Sequence, residues 1–344
     1  MSFPKTMQAL AYNKTGDVDV LEKMEVPFPE HKPGTIIVKI HWIGINSIDT
    51  YLRKGLYPIS SFPHINGLEA SGRIAALPTD EATLNDPEYK KRNFKVGDKV
   101  AVYSMESHAE YATVVWLKTF PVPESISLDV ACAASLQGLT TVTHMTDAYN
   151  VQKGDTILIH TVAGHLGLLY TQYAKSRGAT VIGTTSSEEK AALAKSFGAD
   201  HVILYTKENT VDRVLEITKG EGVHAVFDGV GKDTFMNNFK LARRKATLIA
   251  VGNASGPVEP IAPLLLAQKN LKLVRPSMAN YIVTSEETEF HLGELNRVLL
   301  NGSVKVRIEG VYPFTTDGAR QSQIDLTTRG GKVAGKLLIK VVDE

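Results

Sequence analysis

The stretch that most constrains the fold runs from Asp155 to Lys175. A short apolar run, Asp155-Thr-Ile-Leu-Ile-His160, leads into the glycines of Thr161-Val-Ala-Gly-His-Leu-Gly167, and the next eight residues have helical character. A strand, a tight glycine turn and a helix present backbone N–H groups and a helix N-terminus to a pyrophosphate. The pattern therefore predicts a dinucleotide-binding βαβ unit.

The glycine turn matches only part of the G-x-G-x-x-G pattern. Gly164 and Gly167 fit the last two glycines, Val162 stands where the first is expected, and His165 and Leu166 lie between. Two glycines in an ordinary strand–helix turn remain the alternative. The strand before the turn and the helix after it favour a cofactor site.

Strands and helices alternate from about residue 126 to 265. This rhythm predicts a doubly wound parallel sheet. The predicted strands are 157–160, 180–183, 201–204, 224–227 and 247–251, and the predicted helices are 166–177, 188–197, 210–219 and 233–242.

The flanking segments have a different character. Residues 1–125 are rich in short β-like runs joined by Gly/Pro turns, which predicts a barrel-like β unit. Residues from 266 onward are mixed, with a predicted helix at 286–300 and a terminal strand at 336–342. The polar segment 78–95 is predicted to be a solvated insertion loop. The β-like runs of the first segment are Met7–Tyr12, Thr35–His41, Lys99–Tyr103 and Tyr111–Val115.

The end of the second predicted strand indicates which nicotinamide cofactor the site prefers. About twenty residues after the glycine turn, Gly183 is followed by Thr184-Thr185-Ser186 and not by the carboxylate typical of an NAD site. Hydroxyl groups can donate to a 2′-phosphate, and Lys190 can supply positive charge. The sequence therefore favours NADPH, with a solvated role for Lys190 as the alternative.

Two later strand ends add small residues to the predicted cofactor site. Val230 and Gly231 follow one strand, and Gly252 and Asn253 follow the next. Ligands of open parallel sheets bind outside the carboxyl ends of the strands, where small residues let the backbone approach the nicotinamide half. Plain turns are the alternative at both places.

Composition excludes several other classes of protein. The 344 residues hold 38 Lys and Arg against 37 Asp and Glu, so no excess of charge favours nucleic acid or an anionic membrane surface. No stretch approaches eighteen apolar residues. The single cysteine, Cys132, excludes an intrachain disulfide and is expected to be a small buried side chain. Without a signal peptide at the start of this sequence, a cytoplasmic location is expected.

Several motifs in the same order resemble the quinone oxidoreductase (zeta-crystallin-like) branch of the medium-chain dehydrogenase/reductase superfamily. The resemblance implies a Rossmann doubly wound parallel sheet (126–265) inserted into a GroES-like β-rich catalytic domain (1–125 and 266–344). It also implies a homodimer or homotetramer, for which Leu271–Arg275 is a candidate edge strand. The motifs are Gly44–Tyr57, Gly67–Gly72, Val96–Val100, Gln137–Thr140, the turn at 161–167, Asp228–Phe235, Gly252–Gly256 and Leu273–Ser277.

The resemblance also assigns site residues. Asn46, Tyr51 and Tyr57 match residues that line the substrate site, where Asn46 and Tyr51 can donate to a carbonyl oxygen and Tyr57 can stack on an aromatic acceptor. Asp49 and Arg53 fit either a structural ion pair or charges at the edge of the site. The 2′-phosphate is expected to be held by Lys190, Tyr205 and Arg329, with Lys332 as a substitute for Arg329. His165 departs from the family, which has glycine there.

No metal is expected. Where the alcohol dehydrogenases of this superfamily have Gly-His-Glu, this chain has Gly67-Leu68-Glu69, and no cysteine occurs in the first hundred residues. The predicted function is therefore metal-free reduction of a quinone by NADPH, and reduction of an enone or alkenal double bond is the alternative. Binding of AU-rich RNA is an alternative of another class. The one basic cluster of the chain that could serve RNA binding is Arg243-Arg244-Lys245. It is expected at a helix C-terminus, where cations interact favourably with the helix dipole.

Overall fold

The structure is a computed structural model that describes residues 3–328 and 334–342. Arg329 and Lys332, both predicted to contact a 2′-phosphate, lie outside the described residues. The described strands are β1 (Thr6–Tyr12), β2 (Glu22–Pro27), β3 (Thr35–Ile45), β4 (His64–Ile65), β5 (Glu69–Ala76), β6 (Lys99–Tyr103), β7 (Tyr111–Val115), β8 (Thr119–Pro121), β9 (Thr156–Ile159), β10 (Thr180–Thr185), β11 (His201–Leu204), β12 (Val223–Asp228), β13 (Ala242–Ala250), β14 (Lys272–Val274), β15 (Ile308–Pro313) and β16 (Lys336–Lys340).

Most helices of the described chain follow one of these strands. They are α1 (Ser47–Arg53), α2 (Glu81–Asn85), α3 (Pro87–Arg92), α4 (Leu128–Thr143), α5 (His165–Ser176), α6 (Glu188–Ser196), α7 (Thr210–Ile217), α8 (Phe235–Leu241), α9 (Leu264–Ala267), α10 (Ser285–Leu300) and α11 (Thr316–Thr327). None of the described helices is long and apolar enough to cross a membrane.

The chain divides into two compact units, which we call unit 1 and unit 2. Unit 1 contains Met1–Leu136, Thr284–Glu286 and Val306–Glu344, and unit 2 contains Gln137–Val283 and Glu287–Lys305. The sequence placed the junctions at 125/126 and 265/266. The chain returns to unit 1 later than the sequence predicted, because most of α10 packs in unit 2. There the Tyr173 hydroxyl of α5 donates to the Glu294 carboxylate of α10 at 2.9 Å.

Unit 1 is built on antiparallel strands except for β15 and β16, which pair in parallel. One sheet has the order β15-β16-β3-β5-β6-β8 with β7 paired to β3, and a smaller one has the order β2-β1-β4. The long strand β3 is rich in β-branched residues and follows a turn in which Gly34 has a φ of 73°. Its inward residues, such as Ile36 and Ile40, pack with Val100 and Leu337 in the core of the unit.

Unit 2 contains a parallel sheet in the order β11-β10-β9-β12-β13-β14. Short runs of buried β-branched residues form its strands, as expected where helices cover both faces. Leu158, Ile182, Val226 and Leu248 belong to its core. The order reverses between β9 and β12, so the carboxyl ends of these strands form the edge where such sheets bind ligands.

The segment 78–95 is not a solvated loop, and that prediction is wrong. It forms α2 and α3, capped by the side chains of Asp80 and Asp86. Tyr89 is buried and its ring lies 5.6 Å from that of Trp116 in an edge-to-face arrangement. The many charged residues of this segment predicted full exposure, but the buried Tyr89 ring gives the segment an aromatic face. Packing of this face against Trp116 holds the short helices on the β unit.

The basic cluster Arg243-Arg244-Lys245 lies inside β13 and not at the end of a helix, so its predicted position is wrong. The α8 helix ends at Leu241, and β13 begins immediately after it. Arg243 contacts the His224 ring on the neighbouring β12. The cluster is therefore split between a packed side chain and exposed ones.

Strand β14 lies at one edge of the described parallel sheet, as the sequence predicts for residues 271–275. Leu273 on this strand is exposed. Pairing of this edge across a two-fold axis stays a prediction.

Candidate active site

The glycine turn joins β9 to α5 without a capping side chain. Gly164 is the N-cap of α5, and its N–H donates to the Thr161 carbonyl at 2.9 Å. Thr161 has a φ of 56°, a conformation that is uncommon for a residue with a side chain. Because glycine has no side chain, nothing at the N-cap competes with an anionic ligand for the first turn of the helix.

Close packing around this turn explains its other glycine. A Cβ atom on Gly167 would lie 2.4 Å from the Thr161 carbonyl oxygen. A Cβ on Gly183, at the end of β10, would lie 2.5 Å from the Val162 side chain. His165, between the two glycines of the turn, is buried, and Leu166 beside it is half-buried. Whether His165 donates to a phosphate stays a prediction.

The ends of β10 and β11 carry the residues predicted for the adenosine half. Thr184 is buried in β10, and the N–H of Tyr205 donates to the carbonyl of Thr185 at 3.2 Å. The Tyr205 side chain is exposed. Lys190 lies in the first turn of α6, where its N–H donates to the Ser187 side chain, and it is half-buried. The structure therefore brings Thr184, Lys190 and Tyr205 to the same edge of the sheet.

The loops after β12 and β13 pack against each other with little room to spare. The Asp228 carboxylate accepts the N–H groups of Val230 at 2.8 Å and Gly231 at 3.1 Å. A Cβ on Gly231 would lie 2.8 Å from the Gly256 carbonyl oxygen, and one on Gly252 would lie 2.8 Å from that of Gly229. With Asn253, these residues form a backbone-lined cradle at the same sheet edge.

These five strand ends, of β9 to β13, fit a dinucleotide. They supply a helix N-terminus for a pyrophosphate, a lysine and a tyrosine for a 2′-phosphate, and small residues for close approach of a ring. We call them the cofactor cradle. All of its residues lie in unit 2.

In unit 1, Asn46 lies at the start of α1 and is buried. It is the N-cap in a capping box with Asp49, whose carboxylate accepts the Asn46 N–H at 2.7 Å. The Asn46 amide group donates to the Gly44 carbonyl at 3.2 Å and to the Glu69 carboxylate at 2.9 Å. Since both amide hydrogens are used within the protein, this geometry makes Asn46 a residue that orients α1. Donation from Asn46 to a substrate would require the loss of one of these bonds.

Tyr51 and Tyr57 do come together. Their ring centroids lie 6.1 Å apart with an interplanar angle of 71°. Tyr57 is 41% exposed, and the nearby Leu56 and Phe62 are 67% and 48% exposed. The pair therefore presents aromatic surface that an apolar ring can contact.

Asp49 and Arg53 have separate partners. Arg53 donates to the side chain of Gln323 at 2.7 Å and to the Gly16 carbonyl at 2.6 Å. Burial, with a smaller effect of nearby Glu69, raises the pKa of Asp49 to about 7 against the opposing effects of the Asn46 N–H and Lys336. Both residues are therefore buried structural residues of α1 itself.

Sequence reasoning did not find the partners of this buried cluster. Glu69 accepts from Lys336, Asn46, the Ser135 hydroxyl and the Leu136 N–H. Burial acts to raise the pKa of Glu69, but the charge of Lys336 and these hydrogen bonds together hold it below its usual range. His108 is also buried, and burial lowers its pKa to about 3. The replaced Gly-His-Glu segment was the available signal for Glu69, whereas nothing pointed to Lys336.

Within the described ranges 3–328 and 334–342, no group of three His, Cys, Asp or Glu residues is placed to hold a metal ion. Cys132 is buried, and burial raises the pKa of its thiol.

Known proteins match both halves of the chain. The family described as alcohol dehydrogenase GroES-like domain matches residues 32–124, and the family described as zinc-binding dehydrogenase matches residues 166–292. A quinone oxidoreductase of Pseudomonas aeruginosa is 36% identical over 94% of this chain and 96% of its own. The chain belongs to the quinone oxidoreductase family.

Solved structures of the quinone oxidoreductase family have the same fold. The Escherichia coli quinone oxidoreductase, crystallised as a complex with NADPH, is 32% identical, with a TM-score of 0.86 over 97% of this chain and 100% of its own. The predicted Rossmann and GroES-like fold is thereby confirmed. A 2-haloacrylate reductase of a Burkholderia species is 31% identical over 82% of this chain and 84% of its own. Membership in the family therefore does not by itself choose the acceptor.

Proposed function

We propose that this member of the quinone oxidoreductase family reduces a quinone with NADPH and without a metal. The preference for NADPH over NADH rests on one observation at the end of β10. Thr184 and Thr185 stand there in place of a carboxylate, and Lys190 follows on α6. A carboxylate there would repel a 2′-phosphate, whereas an ammonium group attracts it. The NADPH complex of the related Escherichia coli enzyme supports this choice.

NADPH, when bound, supplies the hydride. The acceptor gains that hydride and one proton from solvent, so a quinone becomes a hydroquinone. A quinone delocalises the negative charge that develops on reduction and needs little help from a protein acid. The contribution of the chain is then to hold the two reactants in a fixed orientation and to exclude water.

Tyr51 and Tyr57 support an aromatic acceptor. The exposed ring of Tyr57 offers a stacking surface, and the hydroxyl of Tyr51 can donate to a carbonyl oxygen as charge develops. Both tyrosines are proposed site residues of unit 1, and the cofactor cradle is the proposed NADPH site of unit 2.

Reduction of a conjugated double bond is the second candidate. The 2-haloacrylate reductase among the relatives favours it, because that name specifies an activated alkene as the acceptor. The same cofactor cradle serves both reactions, and the shape of the acceptor decides between them.

The test is NADPH oxidation with an ortho-quinone, a para-quinone and a linear enone, each repeated with NADH. We expect quinone turnover with a preference for NADPH. Turnover of the enone alone would favour the second candidate, reduction of a conjugated double bond. A preference for NADH would contradict the assignment of NADPH as the cofactor.

A substitution of Tyr57 tests whether its aromatic ring contributes to binding of the quinone. Tyr57→Leu is expected to raise KM for an aromatic quinone by a factor of about 2 to 10, since an aromatic contact contributes about 0.5–1.5 kcal/mol beyond area burial. KM for a small linear enone is expected to change little. Tyr205→Leu, an exposed tyrosine of the other unit, serves as the comparison and is expected to affect NADPH and not the quinone.

A further inference from the structure

A line of buried polar side chains runs beneath the cofactor cradle. The Thr184 hydroxyl lies 3.0 Å from Nδ1 of His160, and Nε2 of His160 lies 2.9 Å from the side-chain oxygen of Asn238. The Asn238 nitrogen in turn lies 2.6 Å from the carboxylate of Asp228. All four side chains are buried. The line therefore joins the ends of β10, β9 and β12 through α8.

The direction of these hydrogen bonds is set at Asp228. Its carboxylate faces donors: the N–H groups of Val230 and Gly231, the Thr234 hydroxyl and the Asn238 amide. An ionised carboxylate only accepts hydrogen bonds. The NH₂ group of Asn238 must therefore point toward Asp228, which turns the Asn238 oxygen toward His160.

The same reasoning fixes the tautomer of His160. An amide oxygen only accepts, so Nε2 of His160 must carry a hydrogen. A neutral imidazole has one N–H, which leaves Nδ1 as an acceptor. The Thr184 hydroxyl must then donate its hydrogen to Nδ1. Thr184 is left with oxygen lone pairs and no hydrogen for a ligand.

This result changes the role expected for Thr184. A phosphate group accepts hydrogen bonds, and Thr184 has no hydrogen left to donate to it. Thr184 is the next-to-last residue of β10, and in this fold the carboxyl end of the second strand lies against the ribose of the adenosine half. On that ribose NADPH carries its phosphate at the 2′ position, so the 3′-hydroxyl remains as a donor.

We propose that Asp228, acting through Asn238 and His160, makes Thr184 a hydrogen-bond acceptor for the adenosine 3′-hydroxyl of NADPH. The 2′-phosphate is then left to the other residues predicted for it, of which Lys190 and Tyr205 are described by the structure. Asp228, Asn238 and His160 are positioning residues, since they act through Thr184. The part that concerns NADPH rests on the proposed function, whereas the tautomer of His160 does not.

The first test reads the His160 tautomer directly in the ligand-free protein. ¹⁵N chemical shifts of the imidazole nitrogens, measured with labelled histidine near pH 8 and assigned by His160→Gln, distinguish the two neutral tautomers and the doubly protonated ring. We expect hydrogen on Nε2 alone. Hydrogen on Nδ1, or on both nitrogens, would overturn the proposal.

The variant Asp228→Asn tests whether Asp228 sets the tautomer of His160, a change that is not expected if Asp228 only stabilises the fold. Its oxygen still accepts from Val230 and Gly231, but its NH₂ group now faces Asn238 and requires that amide to turn over. His160 is then expected to carry its hydrogen on Nδ1. An unchanged tautomer in the folded variant would contradict the relay. If this variant does not fold, the wild-type tautomer still decides the direction of the hydrogen bonds.

The second test measures binding of NADPH and of an analogue that lacks the adenosine 3′-hydroxyl. We expect the wild-type protein to bind the analogue about fivefold more weakly, as for the loss of one neutral hydrogen bond. Thr184→Val is expected to bind both ligands equally. Thr180→Val, at the other end of β10, is the matched control and keeps the wild-type difference.

The results of these tests distinguish failure of the hydrogen-bond relay from failure of the proposed NADPH-dependent function. An equal loss in wild type and Thr184→Val would overturn the contact between Thr184 and the 3′-hydroxyl. If the wild-type protein bound neither ligand, the proposed function would fail, and the His160 tautomer would still decide the relay.

Discussion

Lys336, the first residue of β16, forms an ion pair with Glu69, the first residue of β5, in the interior of unit 1. The two residues are 1% and 0% exposed. Asn46 joins the pair, because its amide nitrogen donates to Glu69 at 2.9 Å and its oxygen accepts from Lys336 at 2.8 Å. A strand from the end of the chain is thereby tied to the N-cap of α1, the helix that carries Tyr51.

The first prediction concerns this ion pair. Lys336→Met keeps the volume of the side chain but leaves the Glu69 charge buried without its cation. We expect the free energy of unfolding to fall by about 3–5 kcal/mol, measured by denaturant unfolding monitored by circular dichroism.

Two further variants test the cause of that loss. The double variant Lys336→Met/Glu69→Gln removes the buried charge and is expected to recover part of the stability. Lys39→Met, an exposed lysine on the neighbouring β3, is the control and is expected to have little effect. Equal effects of Lys336→Met and Lys39→Met would contradict the importance of the buried pair.

The second prediction concerns the pH dependence of stability at Asp49. Burial raises its pKa from 3.8 to about 7. As pH rises from about 4 to 7, the unfolded chain releases this proton while the folded protein keeps it, so the stability that the neutral carboxyl contributes is lost over this window. Asp49→Asn lacks the titration and keeps an oxygen to accept the Asn46 N–H.

The measurement is the difference in the free energy of unfolding between Asp49→Asn and the wild-type protein from pH 4 to 8. We expect this difference to rise in favour of the variant by an amount on the order of a few kcal/mol. The buried His108, with a pKa lowered to about 3, makes stability fall as pH decreases below 6.5, but it does so in both proteins and cancels. A flat difference would show that the pKa of Asp49 is not higher in the folded protein than in the unfolded chain.

The third prediction concerns Lys190. Lys190→Ala is expected to weaken NADPH binding by a factor of about 10 to 100, as for the loss of one hydrogen bond to a charged group. Binding of NADH, which lacks the 2′-phosphate, is expected to change little. Isothermal titration calorimetry with both cofactors gives the comparison, and Lys195→Ala, an exposed lysine in the last turn of the same α6 helix, is the control. Equal losses for NADPH and NADH would exclude a role in recognition of the 2′-phosphate.

The fourth prediction compares two glycines within helices. Gly167→Ala places a Cβ 2.4 Å from the Thr161 carbonyl oxygen, so the glycine turn must shift. We expect a loss of about 1–3 kcal/mol in stability from overpacking and weaker NADPH binding. Gly293→Ala in α10 meets no atom within 4 Å and is expected to stabilise by about 0.5–1 kcal/mol. Thermal unfolding of both variants, with and without NADPH, checks the pair.

Local patterns in the sequence were sufficient for most of unit 2. β11 (His201–Leu204) was predicted residue for residue, and α5 was predicted with a shift of one residue at each end. Buried parallel strands are short β-branched runs, and amphipathic helices have a different period, so neighbouring residues carry the information. The edge of the sheet where the cofactor cradle lies also follows from the order of elements, since parallel strands end at a common edge.

Other features depend on residues far apart in the chain. The insertion 78–95 was expected to be solvated because its charges outnumber its apolar residues, but Tyr89 meets Trp116 and folds the segment into helices. The predicted donor Asn46 is occupied by Glu69 and Lys336, which are 23 and 290 residues away from it. No local pattern identifies such partners.

The sequence by itself determined the class of fold and the family and predicted the cofactor edge, because these depend on periodicity, glycine placement and the order of motifs. Only the tertiary structure decided which polar groups are available to a ligand. Asn46 has the right chemistry to donate to one, yet it gives its hydrogens to Gly44 and Glu69. The proposed relay likewise directs the hydrogen of Thr184 to the buried His160. Donors and acceptors are limited in number, and burial forces them to pair with the groups that the fold brings nearest.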